Sequence, residues 1–240
     1  TTFDWTGTLL SENTTEITIP SAPVSKGTHT LNIEVTTTND KYTSNNKNNN
    51  TFIINQVSAA PTTVNSFETV SDELYIETSG ATTHLWQRGV PNKTLLKTVG
   101  TGTNAYVTGL TGNHPDKTTS YLYTNCYNLS LITNPILQFK MAFDIEKDWD
   151  HMFVEYTTNQ GGTWTILGSA SDANWYNSSS TQNGLPGKQW TGEGENINSL
   201  GGTNATLHDY SYDLAAFKDE TSVLFRFKFL ADDATNEEGA

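Results

Sequence analysis

The chain has 240 residues and a formal net charge of −13, which excludes unaided binding to nucleic acid or to an anionic membrane. Hydrophobic residues make up 35% of the chain and charged residues 16%, while aromatic residues reach 11%. This composition favours many short strands joined by polar turns over helices. No apolar run approaches the roughly 18 residues that a membrane-spanning helix needs.

The single cysteine and the first residue set two further limits. Cys126 has no second cysteine to pair with, so an internal disulfide and a Cys-based zinc site are excluded. Its neighbours are aromatic and β-prone, which predicts a buried, small hydrophobic side chain. The chain starts on Thr1 without a signal peptide, so we expect a processed product or a fragment, compatible with secretion.

Residues 1–55 are predicted to form a first unit of short strands. In the clearest strand, Leu31, Ile33 and Val35 alternate with polar residues. So few strands bury little apolar surface, and we expect the unit to be incomplete or to lean on another part of the protein. The four predicted strands are Phe3–Thr8, Thr15–Pro20, His29–Thr36 and Thr51–Asn55.

The order of these pieces resembles the second half of a bacterial Ig-like module of the CARDB-like, adhesion-related kind. The resemblance implies a partial Ig-like sandwich whose earlier strands would precede Phe3. It is carried by Trp5-Thr6-Gly7 with Leu9, by Ile17–Pro20, by Gly27–Leu31 and by Asn48-Asn49-Asn50 before Phe52.

A linker and a larger unit are predicted to follow. Residues 56–64 are small and polar and include Pro61, as is typical of a linker. Residues 65–240 carry many short β-type runs between turn signals, which favours a β-sandwich or jelly roll. In the run Val223–Leu230, every second residue is apolar and mostly Phe, which predicts a half-buried strand with one aromatic face.

A series of landmarks in this second unit resembles the MAM-like jelly-roll domains of secreted and surface proteins of Bacteroidetes-type bacteria, including peptidases and adhesins. The resemblance covers nearly all of 65–240 and implies an antiparallel jelly-roll β-sandwich. Such domains usually close with an Asp-containing strand after the segment that matches Glu238-Gly239, so we expect the last strand to be absent here. The landmarks, in order, are Ser66–Glu68, Leu85–Pro91, Ala105–Leu110, Gly112-Asn113, Ser120–Leu122, Trp149-Asp150, Val154–Tyr156, Gly161–Trp164, Trp175–Asn177, Trp190–Gly192 and Phe225–Phe227.

The stretch Thr157–Trp164 fits the pattern S/T-x-D/N-x-G-x-T-W of an Asp-box turn. In such a turn a short polar side chain, here Asn159, bonds back to turn amides, and the Trp packs over the turn. Sialidase-like propellers carry the box once per blade. A single copy therefore predicts a rigid hairpin and not a propeller.

Four acids at alternate positions, Asp144, Glu146, Asp148 and Asp150, would share one face of an extended strand. Three interpretations are open: a catalytic pair of a glycosidase, a cation site, or a solvated strand end relieved by Lys147. We favour the last, and the cation site is the main alternative.

A second acidic cluster follows the Phe-rich strand and contains Asp232, Asp233, Glu237 and Glu238. The jelly-roll resemblance implies a structural Ca²⁺ that ties the first strand to the last, which would use Glu68 and this terminal region. Oxygen ligands from loops suit Ca²⁺. Asp150 of the first series is added as a further candidate, so the predicted calcium ligands are Glu68, Asp150, Asp232 and Asp233.

The long polar segment 169–204 contains Trp175, Tyr176 and Trp190. Exposed rings on a loop can stack on sugar faces, so these three residues are the candidate ligand-binding site. The alternative, which we favour, is that the rings fill the end of the sandwich.

Signatures of hydrolases and metalloenzymes are otherwise absent, since the five His residues are scattered and there is no H-E-x-x-H or G-x-S-x-G. The sequence therefore predicts a non-catalytic, extracellular adhesion, binding or spacer module of a larger bacterial protein. Expected partners are the rest of that polypeptide, a glycan or a surface protein, and secretion machinery, because the resemblance suggests type IX export. Alternatives are a carbohydrate-binding module of a polysaccharide-degrading enzyme, an ancillary domain of a secreted peptidase, or a catalytic β-sandwich hydrolase.

Overall fold

The computed structural model describes residues 2–10, 12–55, 64–69, 74–79, 85–193 and 206–240. In these ranges the chain is all-β, with 34% strand, as the composition predicted. The strands are β1 Gly27–Glu34, β2 Lys47–Ile54, β3 Tyr75–Ser79, β4 Trp86–Gly89, β5 Ala105–Thr108, β6 Thr119–Tyr123, β7 Ile136–Met141, β8 His151–Thr157, β9 Thr165–Ile166, β10 Trp190–Thr191, β11 His208–Asp213 and β12 Leu224–Leu230. Short 3₁₀ turns lie at Thr43–Asn45, Gln182–Gly184 and Ala215–Phe217.

The larger unit is built of antiparallel sheets that face each other. One sheet has six strands in the order β10-β8-β12-β6-β3, with β9 paired to β8. Two further antiparallel pairs, β7 with β11 and β4 with β5, complete the unit. Phe139 on β7 packs edge-on against Phe227 on β12, with ring centroids 4.8 Å apart. The two layers therefore share one core, which is the architecture of a β-sandwich.

Strand β12 shows why this sequence forms a sandwich. Phe225 and Phe229 are fully buried, and Phe227 packs against the same core. Arg226 and Lys228 alternate with them and point to the opposite face of the sheet, because side chains alternate along a strand. The predicted aromatic face is confirmed, and its burial is the main apolar contribution of this strand to stability.

The opposite face of the large sheet is organised around Arg226. Its Nε donates to Glu155 at 2.6 Å, and its guanidinium carbon lies 4.0 Å from the ring of Trp164. Trp164 follows the predicted turn, in which Asn159 Oδ1 accepts the amide of Thr163 at 2.9 Å. The turn thus places the indole of Trp164 over the guanidinium of Arg226, and this cation–π contact stabilises the sheet.

The N-terminal unit differs from its prediction. The predicted strands His29–Thr36 and Thr51–Asn55 correspond to β1 and β2, which form an antiparallel hairpin. The predicted strands Phe3–Thr8 and Thr15–Pro20 are wrong, because residues 2–10 and 12–26 contain no strand. An apolar alternation forms a strand only where a neighbouring strand offers backbone hydrogen bonds, and neither segment has such a neighbour here.

The base of the hairpin contacts the sandwich. The amide of Ile53 donates to the carbonyl of Gln160 at 2.9 Å, and the Asn55 side-chain amide donates to the carbonyl of Thr124 at 2.6 Å. A cavity of about 140 Å³ at this junction is lined in part by Cys126. Cys126 was predicted to be buried, but it is only half-buried. Apart from the last residue, the predicted linker 56–64 lies outside the described residues.

Candidate functional site

The segment Glu237–Ala240, called here the C-terminal segment, is bound by backbone hydrogen bonds on both sides. On one side, the amide of Thr108 donates to the carbonyl of Ala240 at 2.7 Å. On the other side, Asp144 and Gly239 exchange two hydrogen bonds of 2.6 and 2.7 Å. The C-terminal segment is therefore held like an inner strand of a sheet.

Glu238 is the most fully bonded acid of the C-terminal segment. Its carboxylate accepts the three amides of residues 94–96 at 2.8 to 2.9 Å. Beside it, the buried ammonium of Lys93 donates to the carbonyls of Thr108, at 2.9 Å, and of Glu238. Burial lowers the pKa of Lys93 to about 8, although the charges of Glu238 and Asp144 act in the opposite direction.

The C-terminal segment brings Glu237 to three acids of the alternating series. Asp144, Glu146, Asp150 and Glu237 are called the acidic cluster. Asp144, Asp150 and Glu237 are 6%, 0% and 8% exposed. Two buried oxygens, Oε2 of Glu146 and Oε2 of Glu237, have no hydrogen-bond donor, and the protein contact of Asp150 Oδ2 is with His114. Buried carboxylate oxygens without partners are rare in folded proteins, which makes this cluster the candidate functional site.

His114 is the nearest basic group to Asp150. Its Nε2 lies 3.0 Å from Oδ2 of Asp150, with both side chains fully buried, and 3.3 Å from the amide nitrogen of Glu237. Nε2 donates to Asp150 when it carries a proton and accepts from the amide of Glu237 when it does not. We favour the first arrangement, because it is shorter and provides the only protein donor that Oδ2 has. The other oxygen of Asp150 accepts the amide of Asp232 at 3.0 Å.

Two acids of the cluster, Glu237 and Glu146, have raised pKa values. Burial raises the pKa of Glu237 to about 7, and the charges of Asp144, Asp150 and Glu146 act in the same direction. Burial also raises the pKa of Glu146, helped by the charges of Asp232 and Asp150. Like charges in a buried site disfavour full ionisation. Glu237 is therefore only partly ionised near neutral pH.

Without added cations, the free energy of unfolding is expected to fall as pH rises from about 4.5 to about 7. Glu237 keeps its proton across this window in the folded state and loses it in the unfolded state, so stability present below the window is lost above it. The loss is on the order of 1–2 kcal/mol after allowance for solvent screening. Urea unfolding across this pH range measures it. The Glu237→Gln variant should show a flatter profile, and equal slopes in both proteins would contradict the assignment.

Residues 144–150 do not form one extended strand, so the four acids do not share a strand face. The chain bends after Glu146, and Asp148 sits in a turn with a φ of 61°. The amide of Asp150 donates back to the carbonyl of Glu146 at 3.2 Å, and the hydroxyl of Thr191 donates to the carbonyl of Asp150 at 2.8 Å. The two-residue spacing correctly predicted that Asp144, Glu146 and Asp150 lie close together. They do so because the chain bends, and not because they share one face of a strand.

The carboxylate of Glu68, a predicted calcium ligand, is hydrogen-bonded to Thr103 and Asn104. Its Oε1 accepts the amides of Thr103 and Asn104 at 2.8 and 2.7 Å, and its Oε2 accepts their side chains at 3.0 and 2.8 Å. These bonds, the backbone ones foremost, lower the pKa of Glu68 to about 2. The carboxylate therefore holds the 102–104 loop, and both of its oxygens are already satisfied.

The other predicted calcium ligands separate into two places. Asp150 and Asp232 meet through the hydrogen bond described above, whereas Asp233 is exposed and pairs with Lys117 at 3.3 Å. The structure does not bring Glu68 or Asp233 to Asp150. As they stand, no three His, Cys, Asp or Glu side chains in the described ranges are arranged to hold a metal ion.

The candidate sugar-binding rings lie in the core. Trp175 and Tyr176 are each 4% exposed and Trp190 is 0% exposed, so the expectation of exposed loop aromatics is wrong. Trp190 Nε1 donates to the carbonyl of Trp175 at 3.1 Å, and the Tyr176 hydroxyl bonds to the backbone of Val154. The indole N–H of Trp190 and the hydroxyl of Tyr176 thus have hydrogen-bond partners inside the protein, so burial of the rings leaves neither group unsatisfied. The alternative that they fill the sandwich is correct.

The sequence analysis missed one residue beside the site and one contact within it. His114 was one of five scattered His residues, and Asp144 was grouped with its neighbours but not with Glu237. The available signal was the pair Glu237-Glu238, two acids beside a glycine after an aromatic strand.

No family model and no curated protein matches this chain. No helix in the described part of the chain is long and apolar enough to cross a membrane.

Proposed function

We propose that the chain is a non-catalytic binding or spacer module of a larger secreted or cell-surface bacterial protein. The observation that carries this proposal is the apolar surface of the N-terminal unit. Of the fifteen large apolar side chains that are exposed in the described residues, ten precede residue 43, with exposed fractions of 38 to 76%. They are Phe3, Trp5, Leu9, Leu10, Ile17, Ile19, Leu31, Ile33, Val35 and Tyr42.

Strand β1 offers both a face and an edge to a partner. Leu31, Ile33 and Val35 lie on one face of the extended chain, because they are two residues apart. Among the described strands β1 pairs with β2 only, and apart from the Thr28 amide, which donates to the Tyr75 hydroxyl, its outer edge is not paired with a strand. An isolated two-stranded hairpin is marginally stable, and clustered apolar surface marks contact with another domain or protein. These properties support attachment to a β-structured partner.

The sandwich supports the non-catalytic part of the proposal. Of the four acids considered for glycoside hydrolysis, Asp144 and Asp150 are buried beside the C-terminal segment, whereas a glycosidase pair must flank an open cleft. The cavity at the hairpin junction is lined by apolar and uncharged polar residues and by no acid: Ile53, Ile54, Asn55, Cys126, Thr157, Gln160, Ser222 and Leu224. A rigid sandwich with a hairpin bonded to it suits a spacer that presents neighbouring parts of a polypeptide.

The apolar face of β1 is expected to bind the dye ANS. Replacing Leu31, Ile33 and Val35 together by Thr should reduce the fluorescence enhancement and change the unfolding free energy by less than about 1 kcal/mol, since the side chains are exposed. The matched control replaces Val90 and Leu131, which are also exposed but lie on the sandwich. Equal dye binding by the triple variant and the wild type would contradict this assignment of the surface.

A second measurement tests the function itself. In the larger secreted protein, the amides of β1 should exchange with deuterium more slowly than in this chain alone, because a partner covers the strand. The amides of β12, at the centre of the large sheet, provide the internal control. Identical exchange of β1 in both proteins would overturn the proposal that this face docks a neighbouring part of the polypeptide.

A further inference from the structure

We propose that the outer face of the large sheet, opposite the buried Phe residues of β12, binds an acidic saccharide. The acid group of the sugar would contact Lys228 and Arg226. Its hydroxyls would contact Tyr121, Trp164 and Glu77. This site names a ligand for the proposed binding module, but it stands on contacts of the sandwich and does not use the apolar face of β1.

Side chains from three strands and one turn meet on this outer face. In the antiparallel register, Lys228 of β12 lies opposite Tyr121 of β6, and Tyr121 lies opposite Glu77 of β3. Residues directly opposite each other in neighbouring strands point to the same side of a sheet. Arg226 shares that side because it is two residues before Lys228, and the ring of Trp164 lies over it. The five side chains therefore form one surface.

Two cations of the outer face are held by aromatic rings. The guanidinium carbon of Arg226 lies 4.0 Å from the ring centre of Trp164 and 4.4 Å from that of Tyr121. The ammonium of Lys228 lies 5.6 Å from the same Tyr121 ring and 5.3 Å from the ring of Phe153. Contacts with two rings restrict each cation before a ligand arrives, which reduces the entropy that binding costs.

Several donors of the outer face have no acceptor among the described residues. Nε of Arg226 is bonded to Glu155, but its Nη2 has no partner there. The ammonium of Lys228 forms no salt bridge with a described residue. The indole N–H of Trp164 and the hydroxyl of Tyr121 are likewise without a described partner. An anion with several oxygens would accept from such a set, and bonds between charged groups are the strongest of these.

The acids of the outer face leave the cation of Lys228 unbalanced. Glu155 pairs with Arg226 at 2.6 Å. Glu77 accepts the hydroxyl of Tyr123 at 2.7 Å through Oε2, and its Oε1 has no donor among the described residues. Because one strand separates Glu77 from Lys228, Oε1 can accept a sugar hydroxyl while the acid group contacts the ammonium. The net charge of −13 acts weakly here, since salt screens charges beyond about 8 Å.

The surroundings favour a saccharide over an acidic peptide. None of the large apolar side chains that are exposed in the described residues lies in these rows of the sheet. The buried centre of an interface between proteins is more apolar than its rim. A sugar instead offers hydroxyls to the polar groups and an apolar ring face to half-buried aromatic side chains such as Tyr121 and Trp164.

The experiment is a titration of the whole chain with a galacturonic acid tetramer and with a sulfated galactose tetramer. Calorimetry measures the affinity, and the NMR signal of the Trp164 indole N–H reports the place of binding. We expect at least one acidic sugar to bind, with an affinity that falls as salt rises, and to shift this signal. The methyl ester of the galacturonic acid tetramer is neutral and should bind at least about tenfold more weakly.

Two variants keep the shape of the outer face and remove one group each. Lys228→Gln should weaken binding at least about tenfold and Tyr121→Phe about threefold. Neither group has a hydrogen-bond partner in the described chain, so the midpoint of urea unfolding should change little. The matched control is Lys218→Gln, which removes the same charge from an exposed lysine after the turn Ala215–Phe217. It should bind the sugar as the wild type does.

Four results would overturn the proposal. One is the absence of binding of either acidic sugar up to about 10 mM. Equal binding of the methyl ester would remove the role of the cations, and full binding by both Lys228→Gln and Tyr121→Phe would place the sugar elsewhere. Tighter binding of a glutamate tetrapeptide would make the ligand a peptide. None of these results concerns β1, whose partner is tested separately by dye binding and hydrogen exchange.

Discussion

Replacing Trp190 by Ala is expected to lower the free energy of unfolding by about 3–5 kcal/mol. The indole is fully buried, and its ring centroid lies 4.5 Å from that of Tyr176 and 5.2 Å from those of Trp175 and Tyr210. Truncation would therefore leave a cavity between three other rings, and the carbonyl of Trp175 would lose its donor. Urea unfolding followed by circular dichroism measures the change.

The matched control for this experiment is Trp149→Ala. Trp149 is 47% exposed, so its truncation should cost about 1 kcal/mol or less. The comparison also separates a structural from a sugar-binding role. If Trp190 bound a glycan, its removal would abolish glycan binding and leave the unfolding transition unchanged. A stable Trp190→Ala variant would contradict the placement of this ring in the core.

The second large effect is expected at Glu238. Glu238→Ala should destabilise the chain by about 3 kcal/mol or more, because the amides of residues 94–96 would lose their common acceptor. The nearby ammonium of Lys93 would also lose the compensating charge that raises its pKa. Hydrogen exchange reports the local effect: the three amides should exchange faster by a larger factor than amides of β12.

Glu238→Gln is the control that keeps the side-chain shape. One oxygen remains as an acceptor, whereas the amide nitrogen repels the amides it faces, so an intermediate loss is expected. A loss in the Gln variant equal to that in the Ala variant would show that charge is decisive. An Ala variant as stable as the wild type would contradict the bonding described for the C-terminal segment.

Local patterns were sufficient to predict most of the sandwich. The alternation in β12 gave the aromatic face correctly, because a strand places every second side chain on the same side. The turn after β8 was likewise predictable, since Asn159 bonds to residues four positions away or fewer. The same reasoning failed for Thr15–Pro20. Its alternation is regular, but a strand also needs a neighbour, and no local pattern supplies one.

The acidic cluster could not be predicted from the sequence for a related reason. The amide of Glu238 and the carboxylate of Asp144 are 94 positions apart in the chain, at 3.3 Å in space. His114 is 123 positions from the amide it contacts. Such contacts depend on which segments pair in the sheets, and spacing along the chain carries no information about that. The sequence analysis therefore grouped the acids that are nearest in sequence and assumed an extended strand. In the structure, a turn at Asp148 interrupts that stretch.

The position of the C-terminal segment also has a mechanical consequence. Hydrogen bonds to Thr108 on one side and to Asp144 on the other run across the direction of the segment. A force applied at Ala240 along that direction would load these bonds together in shear and could not open them one after another. Resistance to such a force is set by the rate of unfolding and not by the equilibrium stability. The two rows of bonds at the end of the sandwich would therefore slow its rupture under tension.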